Sequence, residues 1–261
     1  MSTELKEQLS NLQIAIETGQ FPRYAYKYRP IDEHTEEIFT NSEIWFANPL
    51  TFNDPFDCQL VPANRFEKSD IKNFLEHNKP DVRRKEFRQK LNYYSRHKDK
   101  LSTIINNILR ETAFKSGVSC FAGSNDNILM WSHYAHSHNG ICIKFDILQS
   151  LELFLFPIVV KYTEKYPIYN HLIDASNIVD FLFKTKSKCW EYENEIRVIK
   201  PRSGYYKFNH QSIVEICFGC NVSNDDINKY KQILSSNHFN HVEFLKAEPS
   251  KKEFKIEFVT L

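Results

Sequence analysis

The stretch from Val118 to Asp146 constrains this chain more than any other part of it. It reads as strand, turn, short helix, turn, strand. Val118, Cys120 and Ala122 mark one face of the first strand, and Phe121 on the other face makes it a strand buried on both sides. Ser124, Asn125 and Asp126 then offer side-chain oxygens that can accept from the free N–H groups of a helix start. Asn139-Gly140 supplies a left-handed residue to end that helix, which leaves room for about three turns. Ile141, Ile143 and Phe145 alternate with other residues, so the chain returns to a sheet. A short helix bearing Trp131, Ser132, His133 and Tyr134, pinned between two strands, presents aromatic and polar groups on a rigid support. The same arrangement is also an ordinary way to build a core.

Other elements gather around this stretch. Leu5, Leu9, Leu12 and Ile16 recur at helical spacing, and Gly19 with Pro22 ends that helix. Tyr24 to Pro30 alternates as a strand does, with the tyrosines on one face, and a helix over 35–41 turns Ile38 and Phe39 inward before a strand at 43–47. Asn48 to Asp57 is a loop stiffened by Pro49 and Pro55. Its Asn and Asp side chains can bond their own backbone, which makes it a turn scaffold; alternatively, Asp54 or Asp57 makes it a wall of a ligand site. The block 65–115 carries three amphipathic helices, with Pro80 separating the first two. It is expected as a helical insertion within a single domain spanning 1–261. Residues 65–100 hold 12 Lys and Arg against 6 Asp and Glu, in a chain whose formal net charge is +1. That excess fits a solvated helical face or an anionic partner such as nucleic acid, with Arg83, Arg84, Lys85 and Arg88 as its centre.

Beyond the central stretch, a strand is expected at 156–162, then a helix over 174–185 with Ile178, Val179 and Leu182 inward. The stretch Lys186 to Ile199 follows, in which Glu191, Glu193 and Glu195 alternate. In a strand, Glu191, Glu193 and Glu195 share one face and Trp190, Tyr192 and Ile196 the other; Arg197, one step along the acidic face, is the obvious partner. This acidic ladder is the best catalytic candidate in the chain. A strand at 213–218, a helix from Asn224 with Ile227, Tyr230, Ile233 and Leu234 inward, and a hairpin over 242–258 complete the reading. The fold class expected is α+β, with a mixed, mostly antiparallel sheet.

The chain has no run of about 18 apolar residues, and Met1 to Lys6 lack a basic stretch followed by an apolar one, so no membrane partner and a cytoplasmic address are expected. Cys120 and Cys142 fall in apolar strand patterns, which suits buried free thiols. Cys217 and Cys220 have redox or half-zinc spacing, but no second Cys/His pair follows, so a strand end is expected and no metal site is assigned. With 21 Phe and 13 Tyr, aromatic rings are abundant enough both to fill a core and to stack on a flat ligand.

Four blocks in order carry a family resemblance: Tyr26-Lys27-Tyr28-Arg29, Phe52 to Asp57, Met130 to Ala135 with His138 and Gly140, and Trp190 to Arg197. Together, over roughly residues 24 to 220, they resemble the bacterial family catalogued as domain of unknown function number 2971, whose name implies no reaction. The order of elements is also similar to the split-sheet layout of ADP-ribosyltransferases. That second resemblance implies an NAD-binding enzyme that transfers ADP-ribose to a macromolecular acceptor or hydrolyses NAD, in the role of a toxin or defence effector. It implies that Tyr28 and Arg29 hold the cofactor, that Tyr134 or Trp131 stacks on nicotinamide, and that Glu193 or Glu195 is catalytic. Tyr26, Asn53, Asp54, Ser132, His133 and Arg197 join the cofactor-binding set as members of the same motifs. A fixed carboxylate suits this chemistry because breaking the nicotinamide–ribose bond develops positive charge that exists only in the transition state. Two other readings compete. His133, His136 and His138 with an aspartate or glutamate could serve a metal-dependent hydrolase or nuclease, the first two sharing a helical face; or the basic helices could make the chain a non-catalytic sensing module.

Overall fold

A computed structural model describes residues 3–63, 66–78 and 83–261. Pro80, expected to separate two helices, lies outside the described residues. In chain order the elements are α1 (Thr3–Glu17), β1 (Tyr24–Arg29), α2 (Glu33–Asn41), β2 (Glu43–Phe46), β3 (Val61–Pro62), α3 (Lys68–Asn78), α4 (Arg84–Arg96), α5 (Lys98–Lys115), β4 (Gly117–Phe121) and α6 (Ile128–Tyr134). They continue as β5 (Ile141–Asp146), β6 (Pro157–Val159), β7 (Lys161–Thr163), β8 (Ile168–Tyr169), α7 (His171–Asp174), α8 (Ile178–Phe183), β9 (Thr185–Ser187), β10 (Ile196–Lys200), β11 (Gly204–Lys207), β12 (Ile213–Phe218), α9 (Asn224–Ser236), β13 (Glu243–Pro249) and β14 (Ile256–Thr260). The α+β class and the mixed, mostly antiparallel sheet are as expected.

The chain divides into two compact units, one of residues 1–47, 117–160 and 189–261, the other of 48–116 and 161–188. In the first unit a five-stranded sheet runs β1-β5-β12-β13-β14, antiparallel except for the parallel β12/β13 pair. A second sheet, β4-β10-β6, is antiparallel throughout. The two sheets are stitched together where Tyr26 and Ala122 exchange backbone hydrogen bonds of 2.9 and 2.7 Å. That single bridge makes β1 the seam, with β5 on one side and β4 at the other.

The core of this unit follows from the alternation of its strands. Ile141, Ile143 and Phe145 of β5 and Ile213, Ile216 and Phe218 of β12 are wholly buried, and α2 and α9 cover them with Phe39, Tyr230 and Leu234. Asp32 caps α2 by accepting from the Thr35 N–H at 2.7 Å, and Ser223 caps α9 in the same way. A smaller cluster gathers Tyr28, Met130, Trp131, Cys142, Cys217 and Ile256.

In the second unit α3, α5 and α7 bury Ile71, Leu75, Leu101, Ile105, Leu109 and Leu172 around Tyr169, whose hydroxyl bonds His171 Nδ1 at 2.8 Å. Helices α3, α4 and α5, from the block expected at 65–115, fall in this unit. Within α4 no side chain is buried; Phe87, Leu91 and Tyr94 pack only partly, and Arg83, Arg84, Lys85 and Arg88 are exposed. Val179, expected inward, is 37% exposed because the helix there is short and begins only at Ile178.

Around α6 the two expected end signals fail. The left-handed residues that end α6 are His136, Ser137 and His138 (φ 46°, 53° and 66°) rather than Gly140. Gly140 is needed for a different reason, since a Cβ there would run into the Arg29 carbonyl. The helix start is capped by Asn127, whose Oδ1 accepts from Leu129 and Met130, instead of by the three polar residues before it.

Candidate active site

The expected acidic strand does not exist. Lys188–Glu193 forms a 3-10 turn, Asn194 is left-handed at φ 45°, and β10 begins only at Ile196. Three residues per turn and one left-handed residue destroy the period of two. Glu191 therefore faces solvent, while Glu193 and Glu195 both turn inward, 4% and 3% exposed. The turn is locked on one side by Gly123, where any side chain would strike Asn194, and on the other by Asn127, whose amide donates to the Tyr192 carbonyl at 2.9 Å. The Glu195 carbonyl accepts from the Val160 N–H at 2.9 Å, which fixes the entry into β10.

Each inward carboxylate meets a strong donor. Tyr134, in the last turn of α6, donates its hydroxyl to Glu193 Oε1 at 2.7 Å. Burial, then the Glu193 hydrogen bond and charge, push the Tyr134 phenol far above its usual range, so it stays protonated and remains a donor. Arg197 is completely buried on β10 between Cys120 of β4 and Ile158 of β6. It reaches back to Glu195 with Nε–Oε1 at 2.7 Å and Nη2–Oε2 at 3.1 Å, a two-pronged contact that holds the carboxylate in one plane. The Cys120 thiol beside this pair is pushed well up by burial and by the Glu195 charge, which keeps it neutral.

Reasoning from sequence missed Lys27. It points away from the tyrosine face of β1, and its ammonium donates to Ser119 Oγ at 3.0 Å and to the Cys120 carbonyl at 2.9 Å while lying 4.8 Å over the Phe121 ring. Burial, helped by the neighbouring Arg29 charge, lowers its pKa to about 8, with Cys120 and Glu195 pulling the other way. Arg29 lies two residues along the same face and donates from Nε to Thr35 Oγ1 at 3.2 Å. The signal was present: a lysine placed between tyrosines on a seam strand must project opposite to them.

Strands β1, β4 and β10 with the residue before β10 thus gather Lys27, Ser119, Arg197 and Glu195, α6 adds Tyr134 to Glu193, and Arg29 is engaged with Thr35 of α2. Other expected members are used elsewhere. Trp131 is fully buried, donates from its indole N–H to the Asn125 carbonyl at 2.6 Å and meets Tyr28 edge to face at 5.2 Å. Tyr28 is itself buried and spends its hydroxyl on the Ser124 carbonyl at 3.0 Å. Both belong to the core, and neither ring is available to a ligand. Tyr26 is half-buried at the edge of the same cluster, its phenol pushed up by burial. Ser132 and His133 are exposed on α6, with the His133 ring 6.3 Å from that of Tyr192. His133 and His136 do not share a helical face, since the helix stops at Tyr134 and His136 is left-handed. Among the described residues, no three of His, Cys, Asp and Glu come together in a way that could hold a metal ion.

Asn53 and Asp54 fall in the second unit. Asp54 Oδ1 accepts from the Phe56 N–H at 2.9 Å, and its carbonyl from the Asp57 N–H at 3.1 Å, so it shapes its own turn; Asn53 is exposed.

What the fold and the buried acids define is an α+β protein with an acid–base cluster at the meeting of two sheets. Residues 130–198 match the family described as Protein of unknown function (DUF2971), so the family resemblance read from the sequence holds. The matched segment contains the α6 motif and the turn leading into Arg197; the motifs at 26–29 and 52–57 lie outside it. No curated protein and no solved structure matches the chain. Among the described residues, no helix is long and apolar enough to cross a membrane.

Proposed function

We propose that this protein is an NAD-binding enzyme acting on the nicotinamide–ribose bond, which transfers ADP-ribose to a macromolecular acceptor or hydrolyses NAD. The observation that carries the reading is that Glu193 and Glu195 are buried yet held in fixed directions by Tyr134 and Arg197, with the Lys27 ammonium of β1 near enough to feel the Glu195 charge. Support also comes from the layout, a seam strand bearing cations, a strand and short polar-aromatic helix, then a strand entered through glutamates, which is similar to that of ADP-ribosyltransferases.

The donor set suits the ligand in part. Lys27 and Arg29 supply positive charge for a pyrophosphate, and Tyr134, His133 and Tyr192 form a partly exposed aromatic group for a flat ring. Trp131 and Tyr28, committed to the core, have no part in it. NAD, when bound, supplies a glycosidic bond whose cleavage leaves positive charge on the ribose. Glu195, oriented by Arg197, is the carboxylate that would meet that charge without reorganising. Tyr134 holds Glu193 aimed, and in this reading Glu193 accepts a proton from the attacking acceptor or water.

Release of nicotinamide from NAD by the whole chain tests this. Glu195→Gln and Glu193→Gln, shown folded by circular dichroism, should each lower turnover by about 100-fold or more. Wild-type protein that fails to bind NAD at about 1 mM, or variants that both keep full turnover, would overturn the proposal.

A further inference from the structure

The first unit holds an opening that neither Glu193 nor Glu195 lines. A cavity of about 610 Å³ opens between the β13–β14 hairpin and the turn that follows α6, walled by Ile128, His138, Asn221, Lys251, Lys252 and Phe254 among others. Its size is within the range of pockets that take small organic ligands.

One wall is built under strain. His136, Ser137 and His138 are successive left-handed residues without a glycine among them. The surrounding chain enforces this: the Asn221 N–H donates to the His138 carbonyl at 3.0 Å, the Asn139 amide donates to the carbonyls of His136 and Ser137, and Gly219 packs where a Cβ would strike His138. The turn lays the His138 ring parallel to buried Trp131, 12° apart, and leaves the same residue lining the cavity. Burial lowers the His138 pKa, so the imidazole is neutral, and its Nδ1 is buried with no hydrogen-bond partner.

The opposite wall is the hairpin tip. Phe254 is fully exposed, at 103%, so its ring is free to stack on a ligand. Lys255 pairs with Glu253 and Glu257, whereas Lys251 and Lys252 have no carboxylate partner among the described residues. Asn221 already donates its amide to the Ser137 carbonyl, which leaves its amide oxygen as an acceptor.

From these features we infer that the cavity binds a free mononucleotide, the flat base against Phe254 and the apolar wall, the phosphate toward Lys251 and Lys252, and the base edge toward His138 and Asn221. Phenyl, two unpaired ammonium groups and neutral polar groups are the chemistry that a base, a dianion and a base edge each require.

Titration of the full chain with AMP, GMP and UMP, followed by calorimetry, tests this, with adenosine, inorganic phosphate and a single-stranded oligonucleotide as controls. At least one mononucleotide should bind saturably below about 1 mM, and adenosine or phosphate alone about tenfold more weakly. Phe254→Ala and the double variant Lys251→Glu/Lys252→Glu, both at exposed positions, should each weaken it about tenfold, while Glu195→Gln leaves it unchanged. No saturable mononucleotide binding, binding indifferent to the hairpin variants, or binding of the oligonucleotide alone would overturn the inference. Because the readout is independent of Glu195, failure here leaves the NAD proposal standing, and the reverse.

Discussion

Glu195 with Arg197 in the first unit and Asp57 with Lys186 in the second are both buried acid–base pairs, and they are built differently. Arg197 grips both oxygens of Glu195 through a planar fork. Lys186 approaches Asp57 Oδ2 at 3.8 Å, and Asp57 turns Oδ1 onto the N–H of the next residue, Cys58, at 2.7 Å. The first carboxylate is aimed by a side chain that grips both its oxygens, whereas the second gives one oxygen to the adjacent backbone. A buried carboxylate in a Pro- and Asn-rich loop therefore need not be a functional group; it can be the means by which the loop satisfies its own N–H groups.

The comparison can be broken most sharply at Glu195. Glu195→Ala should lower unfolding stability by about 3–5 kcal/mol in urea titration, since it strips a wholly buried guanidinium of its fork partner. Adding Arg197→Met to Glu195→Leu should recover most of that loss, and a double variant no more stable than Glu195→Ala would show that the pair is not the source. Asp57→Ala should cost less, about 2 kcal/mol, because the Lys186 contact it loses is longer than the Arg197 fork and one of its oxygens serves a local N–H. Thermal melts of the two single variants side by side decide whether the order is right.

A pH series sharpens the same contrast through Lys27. Its folded pKa of about 8 lies below the usual lysine value of 10.5, so between these values the unfolded chain binds more protons than the folded one and stability rises with pH. Below pH 8 both states are charged and the cost of burying the ammonium is felt in full. Relative to Lys27→Met, the wild type should thus gain about 1 kcal/mol between pH 8 and pH 10.5, a partly exposed group warranting a reduced figure. A flat difference across that window would mean that the ammonium is solvated. The smallest effect belongs to Asp54: loss of its one bond to the Phe56 N–H through Asp54→Ala should cost about 1 kcal/mol, with nicotinamide release unchanged.

Much of the fold was legible because its periodicities are local. The β5 alternation of Ile141, Ile143 and Phe145, the β1 tyrosines and the inward face of α9 each follow from spacing within a few residues. The 3-10 turn at 188–193 was not legible, because alternating glutamates and aromatics mimic a strand until a left-handed Asn194 intervenes, and that conformation is imposed by packing against Gly123. Trp131 and Tyr28 looked like ligand platforms for a related reason. An aromatic on a short helix carries no mark of which side the protein will cover.

The sequence by itself determined the class of fold, the helices and strands of strong period, and the two glutamates and Arg197 as residues that belong together. Only the tertiary structure decided that Glu191 would be left in solvent, that Tyr134 would serve Glu193, and that Lys27 would lie beside Glu195 without pairing with it. Those outcomes depend on which strands meet at the β1 seam, and a contact such as that of Lys27 with Ser119, 92 positions apart, leaves no trace in the spacing of neighbours.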